Sequence, residues 1–168
     1  MLSKMNATTD DLLHLHRAVR LALEAERLGN LPIGAVITID GEVIAEAGNS
    51  ILVPFYHPGR HAEMEALARV PAEMWPRSRE MTCYTTLEPC LMCIGALLLH
   101  GVGRVRFGAL DREGGAGEML SHLPVYYAGG IAVPQLVGPL LPELCDALYE
   151  RVTARFDDLP CGNRHHRQ

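Results

Sequence analysis

The sequence predicts an α/β fold, a mixed central sheet of about five strands with helices packed on both faces. Three observations carry this. A stripe of apolar residues at helical spacing opens the chain, a β-hairpin signal follows it, and strand-like and helix-like stretches then alternate.

The elements follow in order. Thr8 to Asp11 has the Thr-x-x-Asp form of a capping box. Apolar residues then recur at Leu12, Leu15, Val19, Ala22 and Leu23, spaced for one helical face, and Gly29-Asn30 stops the helix. Residues 33–39 are rich in β-branched side chains, Asp40-Gly41 is a hairpin turn signal, and residues 43–47 return as a second strand. A loop over residues 49–59 carries two prolines and the pair Phe55-Tyr56, expected to pack on the core rather than stack on a base. A short helix is expected over 60–70, a connector over 71–79 and a third strand over 81–87. Pro89 suits the first turn of a helix that ends at Gly101, with Leu91, Met92, Ile94, Leu97 and Leu98 as its core stripe. Residues 104–110 form a fourth strand, and the glycines of 114–117 a flexible loop before a short helix near Met119. A last strand over 131–137 contains Pro134, which marks an edge, and a final helix runs over 139–156.

Length and composition bound what this domain does. The 168 residues fit one compact domain over 1–156 with a polar tail over 157–168. The apolar run at Leu97 to Leu99 is interrupted by His100 and Gly101, too short for a bilayer, and Met1 to Asp10 has no secretory core. Five cysteines, an odd number, do not form a closed disulfide framework, so the expectation is a reduced, cytoplasmic protein with no membrane association. The net charge of −5, with Lys4 the one lysine, is unfavourable for gripping a long phosphate backbone.

Two fragments carry chemistry: His61-Ala62-Glu63, and Pro89-Cys90-Leu91-Met92-Cys93. Each opens a predicted helix. Histidine and cysteine are the preferred zinc ligands, and cysteines at i and i+3 share a helical face. The helix dipole favours thiolates there. His61 makes a third ligand, leaving one coordination position open, as in catalytic rather than structural zinc sites. Glu63 is then free to act on a water at that position. The competing reading is a closed structural site with Cys83 or His57 as fourth ligand; Cys83, among apolar neighbours, reads instead as a core thiol.

On the His-x-Glu and Pro-Cys-x-x-Cys motifs, with Pro32-Ile33-Gly34-Ala35-Val36, Gly48-Asn49, Thr86-Leu87-Glu88 and Arg104-Val105-Arg106-Phe107-Gly108-Ala109, the chain resembles the cytidine-deaminase-like superfamily. It is most similar to the branch of bacterial tRNA adenosine deaminases, guanine deaminases and cytosine deaminases. The resemblance implies a three-layer α/β/α fold and a homodimer with partner loops near each active site. It implies that His61, Cys90 and Cys93 hold zinc, that Glu63 shuttles protons during hydrolytic deamination, and that Asn49 hydrogen-bonds the substrate. The tRNA deaminases carry Arg-Asp where this chain has Leu110-Asp111, and a basic C-terminal helix where this chain has Glu143 and Asp146. With the acidic total, these departures point first to a free nucleobase or nucleoside, guanine or cytosine before others. A tRNA adenosine is the alternative, and a noncatalytic zinc-stabilised binding module a third reading.

Overall fold

The computed structural model describes residues 7–155. The expected tail over 157–168 lies outside the described residues, with Cys161 and the His165-His166 pair.

A five-stranded sheet in the order β2-β1-β3-β4-β5 organises the chain. Helix α1 (Thr9–Arg27) begins with the anticipated capping box. Thr8 Oγ1 accepts from the Asp11 amide at 3.1 Å, and the Asp11 carboxylate accepts from the Thr8 amide at 3.0 Å. Its buried stripe is Asp11, His14, Leu15, Ala18, Ala22 and Ala25. Leu23, expected on that face, is 46% exposed, because the stripe advances by threes and fours through Ala22 to Ala25.

Strands β1 (Gly34–Ile39) and β2 (Glu42–Gly48) form the hairpin, with Asp40 and Gly41 both at positive φ (52° and 79°), as a tight two-residue turn requires. Strand β3 (Thr82–Leu87) pairs antiparallel with β1, and β4 (Arg104–Ala109) and β5 (Gln135–Val137) continue in parallel. The last strand is three residues long rather than seven: pairing starts at Gln135, just past Pro134, which has no amide to give the ladder. Residues 71–79 are not a plain connector, since Ala72–Glu80 winds into a 3-10 segment kinked at Arg77.

Helices α1 and α5 (Pro142–Arg155) cover one face of the sheet. Helix α2 (Ala62–Ala68), beside α3 (Leu91–Leu99), covers the other. The three-layer expectation holds. Among the described residues no helix is long and apolar enough to cross a membrane. Two core expectations fail. Leu91 is 59% and Met92 37% exposed, because the face this helix buries is that of Cys93, Ile94, Leu97 and Leu98. Phe55 is 62% exposed, its ring under the Arg60 guanidinium at 5.8 Å, whereas Tyr56 packs against the core.

The sheet and α1 meet at backbone distance. A Cβ on Gly34 would stand 2.1 Å from the Ala18 carbonyl oxygen and 2.8 Å from the Ala22 nitrogen. Neither backbone atom moves without shifting α1. Gly34→Ala therefore lowers stability by about 1–3 kcal/mol, read as a fall in the midpoint of chemical unfolding; an unchanged midpoint contradicts the packing. Across the β2 edge, Arg17 makes a forked ion pair with Glu46, holding that carboxyl below its ordinary range chiefly through the hydrogen bond. A depressed carboxyl contributes stability above its unfolded pKa and loses it as pH falls through the folded value. Both partners are about a third exposed or more, so Glu46→Gln costs less than about 1 kcal/mol at neutral pH. In acid below the folded pKa the difference between variant and wild type vanishes; a difference that persists there contradicts the assignment.

Candidate active site

The donors of the two motifs meet at one end of the sheet. His61 is the N-cap of α2, Cys90 the N-cap of α3, and Cys93 lies in the first turn of α3. Neither cap residue uses its side chain to cap its helix. The backbone is extended at both (φ −68°, ψ 155° and φ −70°, ψ 174°), so each side chain is thrown sideways off the helix end. His61 Nδ1 lies 3.6 Å from Cys90 Sγ and 3.6 Å from Cys93 Sγ, and the two sulfurs are 3.7 Å apart.

These distances test the fit of a metal. A tetrahedral zinc with Zn–S of about 2.3 Å and Zn–N of about 2.0–2.1 Å separates its ligands by about 3.8 Å between sulfurs and about 3.6 Å between nitrogen and sulfur. The donor triangle has those dimensions. Among the described residues the metal-competent group contains His61, Cys90 and Cys93 and no fourth side chain. Cys83 is a fully buried core thiol on β3, its pKa raised by desolvation, and His57 bonds the Gly59 amide through Nδ1 at 3.1 Å. The closed four-ligand site therefore finds no support among these residues, and with it the noncatalytic binding module.

The electrostatics favour a cation. The hydrogen bond between the Cys90 and Cys93 sulfurs, against the opposing effect of burial, pulls the Cys90 pKa down to about 4, with His61 assisting. Cys93 is pushed up by the same shared proton and by burial. A lowered thiol pKa favours the thiolate, the form that binds zinc. Burial works to lower the His61 imidazole, but the Cys90 sulfur and the Glu63 carboxylate outweigh it and raise its pKa. The ring also bonds the Pro58 carbonyl, which fixes its orientation. The Arg60–Glu65 ion pair, with bonds of 3.0 and 3.2 Å, brackets His61 in sequence and clamps the start of α2.

Glu63 is 3% exposed and stands at the sulfurs' side, its Oε2 3.4 Å from Cys93 Sγ. Burial raises its pKa. Thr85 on β3 donates to Oε1 at 2.9 Å. Thr85 escaped the sequence reading; a polar residue within a strand buried throughout was its one signal. Asn49, 1% exposed, follows β2 in a loop joined to the start of α2 by the Ser50 amide and the Arg60 carbonyl at 3.0 Å. Its Oδ1 accepts from the Ile51 amide at 3.1 Å in an Asx turn, while its Nδ2 is buried and meets no partner among the described residues.

The class these features define is the zinc-dependent hydrolytic deaminase, which pairs a three-donor metal site with a glutamate that is not a ligand. Residues 8–109 match the cytidine and deoxycytidylate deaminase zinc-binding region. The chain belongs to that family and is an enzyme of hydrolytic C–N cleavage. It is 41% identical over 117 residues to the tRNA-specific adenosine deaminase of Bacillus subtilis, covering 68% of this chain and 71% of that protein. It is 35% identical over 104 residues to the cytosine deaminase of Candida albicans, covering 60% of this chain and 67% of that protein. A solved structure from work on A-to-I editing by tRNA:A34 deaminases superposes with a TM-score of 0.69 at 29% identity, over 82% of this chain and 99% of that one. The guanine deaminase of Nitrosomonas europaea, at 21% identity over 90% of this chain and 87% of that one, shares the fold with a TM-score of 0.68.

Zinc content checks the ligand set. Three side chains are placed to hold a metal, so Cys90→Ser and His61→Ala should each lower retained zinc after dialysis against a weak chelator, by mass spectrometry of the metal. Full zinc retention in both variants overturns the assignment.

Proposed function

We propose that this chain is a tRNA adenosine deaminase, which replaces the 6-amino group of an adenosine with oxygen and releases ammonia. The observation that carries this reading is the 41% identity to a tRNA-specific adenosine deaminase across 71% of that protein. Relatives of the same name in Aquifex aeolicus (39% over 99 residues) and of closely related name in Danio rerio (35% over 122 residues) support it. This reverses the order suggested by the Leu110-Asp111, Glu143 and Asp146 departures together with the acidic total; the net charge of −5 averages over the whole surface, and a substrate RNA meets only one part of it.

When bound, zinc lowers the pKa of a coordinated water to about 7. The remaining steps fall to side chains. Glu63 takes a proton from the attacking water and delivers it to the ring nitrogen beside the amino-bearing carbon, which makes that carbon electrophilic. The water oxygen bonds to the carbon, the carbon–amine bond breaks, and Glu63 carries a further water proton to the departing ammonia. Thr85 holds the carboxylate in place from behind. Asn49 offers its unpartnered Nδ2 to an acceptor on the base. The base must leave its stack to reach these groups.

A second reading, deamination of free guanine or cytosine, is favoured by the Leu110-Asp111 departure and by the 35% identity to a cytosine deaminase. The expected homodimer fits helix α3, apolar all round: Leu91 (59% exposed), Gly95 and Leu99 (58% exposed) line its uncovered side, and a second copy is the occupant that buries them. Free thiols at Cys83, Cys90, Cys93 and Cys145 suit a reducing cytoplasm.

Three measurements test these proposals. A panel of an adenosine-bearing anticodon stem-loop, guanine, cytosine, adenine and their nucleosides, assayed for ammonia, should show turnover on the stem-loop; turnover confined to a free base sinks the tRNA reading. Glu63→Gln should keep its zinc and lose about 10²–10⁴-fold in kcat, and wild-type kcat would remove Glu63 from its role. Leu99→Glu should shift the protein toward monomer in sedimentation velocity, and an unaltered dimer excludes the α3 face.

A further inference from the structure

Glu88 stands just before the metal-binding turn and is 8% exposed. None of the chemistry above uses it. Its carboxylate lies inside the loop that follows β4. Oε1 accepts from the Gly117 amide at 3.2 Å, and the Asp111 amide donates to the same carboxylate. One buried side chain thus ties together both ends of the loop of residues 111–117.

The middle of that loop runs beside the turn that carries the metal ligands. Gly115 forms an antiparallel β-bridge with Cys90, and the Ala116 amide donates to the Pro89 carbonyl at 3.0 Å. The loop is also tied internally. Asp111 Oδ1 accepts from the Glu113 and Gly114 amides at 3.1 and 2.9 Å, and the Gly115 amide bonds the Asp111 carbonyl at 3.1 Å. Two of its glycines, Gly115 and Gly117, make room for the carboxylate. A Cβ at Gly115 would stand 2.4 Å from Glu88 Oε2, and one at Gly117 2.7 Å from Oε1. Only bare backbone approaches that closely.

Cys90 is therefore held from two sides. Helix α3 grips it through the Ile94 amide, which donates to the Cys90 carbonyl at 2.9 Å. The loop backs it from the other side. We infer that Glu88 is a positioning residue for the zinc ligand Cys90, acting through the loop of residues 111–117 that its carboxylate closes. Removing the carboxylate leaves the half-buried Asp111 and Gly117 amides without this acceptor and opens the loop. Cys90 then loses the support on its loop side, and a ligand with freer orientation holds zinc less long. This goes beyond the deaminase assignment and needs no knowledge of the substrate.

The test is zinc release from the loaded, full-length protein at 25 °C on challenge with excess pyridylazoresorcinol, paired with amide hydrogen exchange over residues 111–117. Glu88→Ala should release zinc about tenfold faster or more than wild type, with faster exchange at Gly115 and Gly117. Glu88→Gln, which keeps one acceptor oxygen, should fall between, and Glu118→Gln, an exposed carboxylate on the same stretch, should match wild type. Gly115→Ala displaces the loop with Glu88 intact and should also release zinc quickly, which keeps the test open if Glu88→Ala does not fold. Release within twofold of wild type in both Glu88→Ala and Gly115→Ala overturns the inference. So does fast release from Glu88→Ala with Gly115 and Gly117 still protected, and so does a lowered melting temperature without a change in release.

Discussion

Three donor atoms must meet within 4 Å of one another although their residues lie 29 and 32 positions apart in sequence. The structure solves this with helix ends rather than helix faces. Strand β3 runs straight into the Glu88-Pro89-Cys90 turn, and α2 begins across the same end of the sheet. Each N-cap residue is extended, so its side chain leaves the helix axis and reaches inward. The Gly34 contact with α1 and the hairpin register locate the strands, and the strands locate the helix ends. An error of an ångström at any of these steps would spread the donor triangle beyond what one cation spans.

A buried glutamate beside a thiolate is electrostatically costly. Desolvation and the neighbouring sulfur both raise the Glu63 pKa, and the His61 ring and the Thr85 hydroxyl work against them. A cation among these groups relieves the repulsion, so the metal and the carboxylate are coupled: the negative charge that makes the site bind zinc also sets the proton affinity of Glu63. At the far end of the sheet a second buried polar group has no such chemistry. Arg106, 8% exposed, sits 3.7 Å from the Asp11 carboxylate and bonds Gln135 at 3.0 Å, while His14 stacks on Tyr84 at 4.9 Å. Asp11 thus serves twice, capping α1 and facing an arginine. Nothing at the level of sequence pattern separates it from an ordinary cap residue.

The legible parts were those governed by short-range rules. The capping box, the Asp40-Gly41 turn, the starts of α2 and α3, and the ligand types all follow from residues within a few positions of one another. The misreadings share one cause. Leu91, Met92 and Phe55 are apolar, and apolar character alone says that a side chain prefers burial, not that a neighbour exists to bury it. Ile131 and Val133 look like strand residues, yet pairing starts only after Pro134.

Taken alone, the sequence determined the class of chemistry: His61, Cys90 and Cys93 are of the types and spacing that suit zinc, and Glu63 is an acid placed two residues from His61. It also determined the order of strands and helices, since periodicity and turn residues are local properties of the chain. Only the tertiary structure decided that the donor triangle has the dimensions of a zinc tetrahedron, that Thr85 grips Glu63, that Asn49 keeps a buried donor unpaired, and that Glu88 closes a loop against Cys90. Those facts depend on how closely segments distant in sequence approach one another, and such approaches are set by how the layers pack.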